Sequence, residues 1–311
     1  MIAAGGCALS ALTGTIGWAR EERRDGGPAA LLPTDFDYAA GSVDAFTVQG
    51  PSGLYTIYVA HPKAPPPPSG YPVLWMLDGD AYFGTAVDAL RLQAEYPRVS
   101  GVNPMIVVAI GYPGARPFDM RRRSLDFLPY PTSTSPKVRE SLPDPDSKGE
   151  PRKYLATGGA DDFARWLSTD LRSAIAIRYR VDPEAHDLTG HSLGGAFCAY
   201  ILGNHPTMFR RYALQSPSFW WDEQRIVREL AALDETRLQA GFRALITIAR
   251  TEIPGNAEIS KVMLEDARTA YKALSAKPGL RDKIRLIELQ EENHQSSHVT
   301  AMSAILRWAS A

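Results

Sequence analysis

A mostly parallel, doubly wound α/β sheet opened by an antiparallel hairpin is the fold class this sequence predicts, and three observations predict it. Val73-Leu74-Trp75-Met76-Leu77 and Met105 to Ile110 are unbroken apolar runs with β-branched content, the pattern of strands buried on both faces. From there to the C-terminus strand-like and helix-like stretches alternate, which calls for parallel strands joined by crossover helices. Near the start, two extended segments are separated by Gly50-Pro51-Ser52-Gly53, a turn signal.

Taken in order, the hairpin joins Ala45 to Val48 with Leu54 to Val59, and Pro65 to Pro68 make a stiff connection to the first apolar strand. A helix is expected over Ala81 to Tyr96. Another is expected over Asp161 to Arg178, where Phe163, Trp166, Leu167, Leu171, Ala174 and Ile175 recur at helical spacing. Asp187-Leu188-Thr189 reads as a short strand and Ala196 to Leu202 as an apolar helix. Tyr212 to Leu214, Ala244 to Ala249 and Ile284 to Leu289 read as strands, with helices over 223–234, 258–274 and 299–309. Phe127 to Lys153, rich in proline, serine and charge, has no periodicity. It reads as a lid or substrate loop within a single domain over 40–311, with a disordered surface insertion as the alternative.

With 311 residues, 44% of them hydrophobic, the chain can bury a large core. A net charge of −1 supplies no field for nucleic acid or anionic membrane, and no nucleic-acid-binding module is recognisable. Cys7 and Cys198 are too few for a disulfide framework or a zinc cluster, so Cys198 is expected in the core. Neither metal nor cofactor is expected. Residues 1–19 are apolar and small, end before the charged run Arg20 to Arg24 and resemble the h-region of a signal segment, though the basic n-region is missing. Export to the periplasm or the extracellular space is therefore expected, with a cytoplasmic location as the alternative. No other apolar run is long enough to span a bilayer, so a soluble mature protein without stable membrane insertion is expected.

The chemistry is concentrated at Gly190-His191-Ser192-Leu193-Gly194-Gly195, between the strand ending at Thr189 and the helix starting at Ala196. A G-x-S-x-G sequence at a strand-to-helix bend is a nucleophile elbow, whose glycines leave room for a strained turn that exposes the serine hydroxyl. Ser192 is the candidate nucleophile. A serine needs a histidine to take its proton and usually a carboxylate to orient that histidine, and in α/β hydrolases they follow in the order serine, acid, histidine. His61, His186 and His191 precede Ser192, and His205 lies at the far end of its helix. That leaves His294 and His298. His294 is preferred, being nearer the strand end among Asn293, Gln295 and Ser296, while His298 can instead cap the last helix.

For the acid, Glu252 follows the strand 244–249 and precedes Pro254-Gly255. A solvated loop charge is the plain alternative, Glu258 and Asp222 are weaker candidates, and a serine–histidine dyad needs no acid. An oxyanion hole takes one N–H from the residue after the nucleophile, here Leu193, and one from the turn after the third strand. In that turn, Asp78-Gly79-Asp80-Ala81, the Asp80 amide is preferred and Gly79 is next. The Asp78 and Asp80 side chains are expected to serve turn and helix-capping chemistry.

Several segments together resemble the putative-esterase branch of the α/β hydrolases, which includes the enterobactin-type siderophore trilactone esterases and is related to esterase D and the mycolyltransferases. They are Tyr71 to Phe83, Ile110-Gly111-Tyr112, Gly158 to Phe163, Gly190 to Phe197 and Ser216-Pro217-Ser218-Phe219-Trp220-Trp221-Asp222, and the resemblance spans roughly 40–309. It implies an α/β-hydrolase fold and ester hydrolysis on a small-molecule ester, with a siderophore trilactone as one substrate. It also implies that Arg123, in Arg121-Arg122-Arg123, matches an arginine near the active site suited to an anionic ligand; a solvated basic loop is the plain alternative. Tyr130, Trp220 and Trp221 are candidate pocket walls, with core packing as the alternative for the tryptophans. The chain departs from the branch in two places: His294-Gln295-Ser296 stands for His-Gly-Ser, and Ala249-Arg250-Thr251-Glu252 for Gly-Glu-x-Glu. The expected activity is a serine carboxylic-ester hydrolase. Acyl transfer of the mycolyltransferase type and a non-catalytic binding protein on the same scaffold are the alternatives.

Overall fold

The computed structural model describes residues 42–114, 117–130 and 156–311. Strands β1 (Ser42–Gly50), β2 (Gly53–His61), β3 (Tyr71–Leu77), β4 (Ile106–Gly111), β5 (Val181–His191), β6 (Arg211–Gln215), β7 (Arg243–Ala249) and β8 (Ile284–Leu289) form one sheet. Its order is β1-β2-β4-β3-β5-β6-β7-β8. β1, β2 and β4 pair antiparallel, and every later pairing is parallel. This is the α/β-hydrolase topology, mostly parallel with an antiparallel hairpin at one edge.

The apolar runs of β3 and β4 divide by the two-residue period of a strand. Val73, Trp75, Leu77, Ile106, Val108 and Ile110 pack into one core layer. Leu74, Met76, Val107 and Ala109 pack into the other. Helices α1 (Gly79–Ala94) and α9 (Ser297–Ser310) cover the second layer. The first is covered by α3 (Met120–Phe127), α4 (Ala160–Trp166), α5 (Arg172–Arg178), α6 (Leu193–Asn204), α7 (Arg225–Ala232) and α8 (Ala257–Ser275). A short turn of helix, α2, spans Pro97–Ser100. Trp75 is fully buried without orphaning its indole, because Nε1–H donates to His186 Nδ1 at 3.0 Å. Burial in turn pushes the His186 pKa down to about 3, so the ring stays neutral and able to accept.

The structure differs from the sequence reading at several points. The arginine run is not a solvated loop. Residues 120–127 form α3, whose N-terminus is capped by the Asp119 carboxylate accepting from the Arg121 and Arg122 amides. Phe127 and Leu128 are core residues, so the aperiodic stretch starts after them. Most of the expected lid, 131–153, lies outside the described residues, as do residues 1–19 and Cys7. β5 is longer than the three residues the sequence suggested, and α7 begins at Arg225 because Asp222, Glu223 and Gln224 all have left-handed backbone. Cys198 is buried, as expected.

Candidate active site

Parallel strands bring their carboxyl ends to one edge, and the candidate residues follow β3, β5, β6, β7 and β8 there. Three residues that directly follow strand ends take positive φ without being glycine: Asp78 after β3 at 55°, Ser192 after β5 at 59° and Ser216 after β6 at 38°. Such backbone costs energy and persists where packing enforces it, often at functional sites. Around Ser192 the enforcement is visible. A Cβ on Gly190 would lie 2.5 Å from the Gly194 carbonyl, and one on Gly195 would lie 2.8 Å from the Gln215 carbonyl. The +2 glycine of the motif, Gly194, would meet nothing closer than 3.4 Å. The tight positions are therefore 190 and 195.

The elbow is tied to its neighbours through its backbone. Ser192 N–H donates to the Gln215 carbonyl at 2.9 Å, and its carbonyl accepts from Ser218 N–H at 3.1 Å. The Ser192 hydroxyl is partly exposed and lies 3.4 Å from Ser218 Oγ. No hydrogen bond joins it to His294 among the described residues; such contacts are often loose until substrate binds.

His294 lies in the turn between β8 and α9. Its Nδ1 meets Glu252 Oε2 at 2.5 Å and its amide donates to the Glu252 carbonyl at 2.8 Å. Glu252 is not a solvated loop charge: it is fully buried, and Oε1 accepts from the Ala249 amide at 2.8 Å and from Ser216 Oγ at 2.7 Å. The His294 ring also lies against that of His191, the neighbour of Ser192, with centroids 4.6 Å apart. His298 is placed elsewhere. It is buried in the core, stacked on Tyr82 at 3.8 Å with Nδ1 2.9 Å from Gln215 Oε1, and burial lowers its pKa to about 3. Glu258 is exposed on α8, and Asp222 lies 3.9 Å from Arg225.

Asp78 precedes α1, but neither it nor Asp80 caps that helix by its side chain, contrary to the sequence expectation. Asp80 accepts from Tyr58 OH at 2.7 Å and from the Tyr112 amide at 2.6 Å, tying the turn to β2 and to the residue after β4. Asp78 is buried and pairs with Arg123, which is 4% exposed, so the basic-loop alternative is wrong. Arg123 Nη2 also lies 3.4 Å from the His191 carbonyl, and the side chain that was expected to meet an anionic ligand is thus committed to the protein. Helix α1 accepts its first intrahelical bonds from the amides of Ala81 and Tyr82, so those of Gly79 and Asp80 are the leading N–H groups of its first turn. Leu193 opens α6 in the same way.

Trp220 and Trp221 follow Ser218 and are mostly buried, at 8% and 9% exposure, with ring centroids 5.7 Å apart. Tyr130 is half-buried; its hydroxyl donates to Glu229 Oε1 at 2.8 Å and the Arg225 guanidinium sits 3.5 Å over its ring. No cluster of histidine, cysteine or carboxylate side chains among the described residues could hold a metal ion. No described helix is long and apolar enough to cross a membrane. Sequence reasoning missed Ser216 and Ser297 as parts of the site, and placed Asp78 in the oxyanion turn without its pairing to Arg123. The Ser-Pro-Ser run directly after β6 was the available signal for Ser216.

A serine on a strand-to-helix elbow, with a histidine–carboxylate pair on later strand ends, is the arrangement of α/β-hydrolase enzymes. The chain belongs to the family described as "Putative esterase", whose model matches residues 51–248. It is an esterase of that family. It is similar to the ferri-bacillibactin esterase BesA of Bacillus subtilis, at 31% identity over 86% of this chain and 92% of that protein. Among solved structures it is similar to the BES protein from Bacillus cereus, with TM-score 0.76 and 26% identity over 91% of this chain and 100% of that one. It is also similar to the siderophore hydrolase EstA from Aspergillus nidulans, with TM-score 0.69 and 26% identity over 90% and 98% of the two chains.

Proposed function

We propose that the protein hydrolyses carboxylic esters of the siderophore class through an acyl-enzyme on Ser192. The single observation that carries this reading is the Glu252–His294 contact of 2.5 Å, made by a fully buried carboxylate beside the elbow. With Nδ1 committed to Glu252, the other ring nitrogen, Nε2, is the one able to take the Ser192 proton. Ser192 Oγ then bonds to the ester carbonyl carbon, and the developing oxyanion is met by the amides of Leu193 and of Gly79 or Asp80. The alcohol leaves with the proton returned by His294. Water, deprotonated by the same nitrogen, releases the carboxylic acid and restores the serine.

The substrate class is supported by the names of three relatives: a ferri-bacillibactin esterase, an apo-salmochelin esterase and a siderophore hydrolase. The test compares kcat/KM for a ferric catecholate trilactone and for a simple aryl butyrate, with Ser192→Ala as control. A strong preference for the trilactone, abolished in Ser192→Ala, is expected. Equal or better turnover of the butyrate would remove the siderophore assignment, and undiminished turnover in Ser192→Ala would remove the serine mechanism.

A further inference from the structure

Behind the Glu252 carboxylate lies a run of buried polar side chains that the mechanism does not use. Tyr82 OH is 3.0 Å from His191 Nδ1, and His191 Nε2 is 3.3 Å from Ser297 Oγ. Ser297 Oγ is 3.0 Å from Ser216 Oγ, which donates to Glu252 Oε1 at 2.7 Å. All five side chains are at most 7% exposed.

The donor and acceptor inventory fixes the direction of this run. A carboxylate only accepts, so the single Ser216 proton goes to Glu252. Between the two serines the proton available is then that of Ser297, which is also within reach of the His294 carbonyl at 3.2 Å. The Ser297 oxygen is left to accept from His191 Nε2–H, and His191 Nδ1 accepts from Tyr82. This needs a neutral His191, and burial, with smaller contributions from His294, His298 and Arg123, lowers its pKa well below the ordinary value. Every link donates toward the carboxylate, and donors in such a chain polarise one another.

We infer that Ser216, backed by Ser297 and His191, is the positioning residue that locks the Glu252 carboxylate in the orientation presented to His294. The inference rests on Glu252 orienting His294. Ser216 is suited to the task by its backbone. Its left-handed φ of 38°, with its amide bonded to the Thr247 carbonyl at 2.8 Å, carries the hydroxyl from the end of β6 to Glu252 in the turn that follows β7. Without the hydroxyl, Oε1 keeps only the Ala249 amide as partner among the described residues, and the carboxylate gains freedom to turn away from Nδ1. Such a residue touches no substrate. It acts on kcat, and only while Glu252 is there to act through.

The test is a double-mutant cycle on kcat with the low-field proton resonance of His294 Nδ1–H followed in parallel. Ser216→Ala and Ser216→Gly, the second of which also relieves the backbone strain, are each expected to lower kcat about tenfold or more at unchanged KM. Both are expected to move the His294 resonance upfield. In a Glu252→Gln background, adding Ser216→Ala is expected to lower kcat no further. Wild-type kcat in both Ser216 variants, an unmoved resonance, or a loss that persists undiminished beside Glu252→Gln would overturn the inference. Glu252→Gln turning over like wild type would instead remove the role of Glu252, and the relay with it. Should Ser216→Ala not fold, Ser216→Gly and Ser297→Ala read the same relay.

Discussion

Arg123 and Asp78 form a buried bidentate ion pair, Nε to Oδ1 at 2.9 Å and Nη2 to Oδ2 at 2.7 Å. Burial raises the Asp78 carboxyl above its ordinary range and the guanidinium offsets part of that rise. The pair clamps α3 onto the left-handed residue that aims the Gly79 and Asp80 amides. In an interior site, removing one partner of such a pair costs about 3–5 kcal/mol, because the other is left buried and uncompensated.

Arg123→Met is therefore expected to lower the stability read by urea unfolding by an amount of that order. Arg123→Lys, which keeps the charge but cannot make the two-pronged contact, is expected to lower kcat to the same degree on neutral and on anionic esters. A loss confined to anionic esters would return Arg123 to a substrate-reading role.

The elbow glycines are not equivalent. Gly190→Ala and Gly195→Ala force a Cβ to within 2.5 Å and 2.8 Å of backbone carbonyls, so these variants are expected to misfold or to leave Ser192 unreactive toward a fluorophosphonate. Gly194→Ala meets ordinary contact distances and is expected to fold normally by circular dichroism. Loss of the fold in Gly194→Ala would show that the turn is more constrained than its contacts indicate.

Asp266 on α8 is 4% exposed and, among the described residues, has Oδ2 unpartnered and receives one hydrogen bond, from Gln224 Nε2 to Oδ1 at 2.7 Å. Burial, with a smaller contribution from Glu265, raises its pKa to about 7. Between the ordinary value and about 7 the folded state holds a proton that the unfolded state has lost, so this residue's contribution to stability falls as pH rises through that window. Asp266→Asn has no such proton to lose. Its stability relative to wild type is expected to improve by about 1.4 kcal/mol per pH unit across the window and to level off above it. A pH-independent difference between the two proteins would contradict this.

His298 titrates in the opposite sense. Its folded pKa of about 3 lies below the ordinary 6.5, so the unfolded chain binds a proton that the fold refuses, and stability is lost as pH falls from 6.5 toward 3. His298→Gln loses the stack on Tyr82 and is expected to be less stable at pH 8, with the deficit shrinking as pH falls to 4. A deficit that stays constant or widens toward acid would show that His298 already carries charge in the fold.

Much of the sheet was legible because β3 and β4 are apolar at every position and the elbow has glycines on both sides of a strand-to-helix bend. Chain order narrowed the base to His294 and His298, nearness to the strand end favoured His294, and Glu252 emerged by its place after a strand. What stayed hidden are relations between residues distant in sequence. Asp78 and Arg123 are 45 residues apart and Ser216 and Glu252 are 36 apart, and no local pattern encodes either pairing. Helix α3 was lost to its run of arginines, which has no apolar periodicity, although Asp119 at its N-cap was a readable start signal. Gly194 was credited for its motif position, whereas steric demand falls on Gly195 because the Gln215 carbonyl, 20 residues on, approaches there.

The most direct test of the central claim is to quench the reaction with a slowly deacylating aryl ester in its first turnover and map the protein by mass spectrometry. One acyl group on the peptide carrying Ser192 is expected, formed in a burst with the released phenol, absent from Ser192→Ala and strongly slowed in His294→Ala. Turnover without a burst, or an acyl group that persists in Ser192→Ala, would contradict an acyl-enzyme on Ser192.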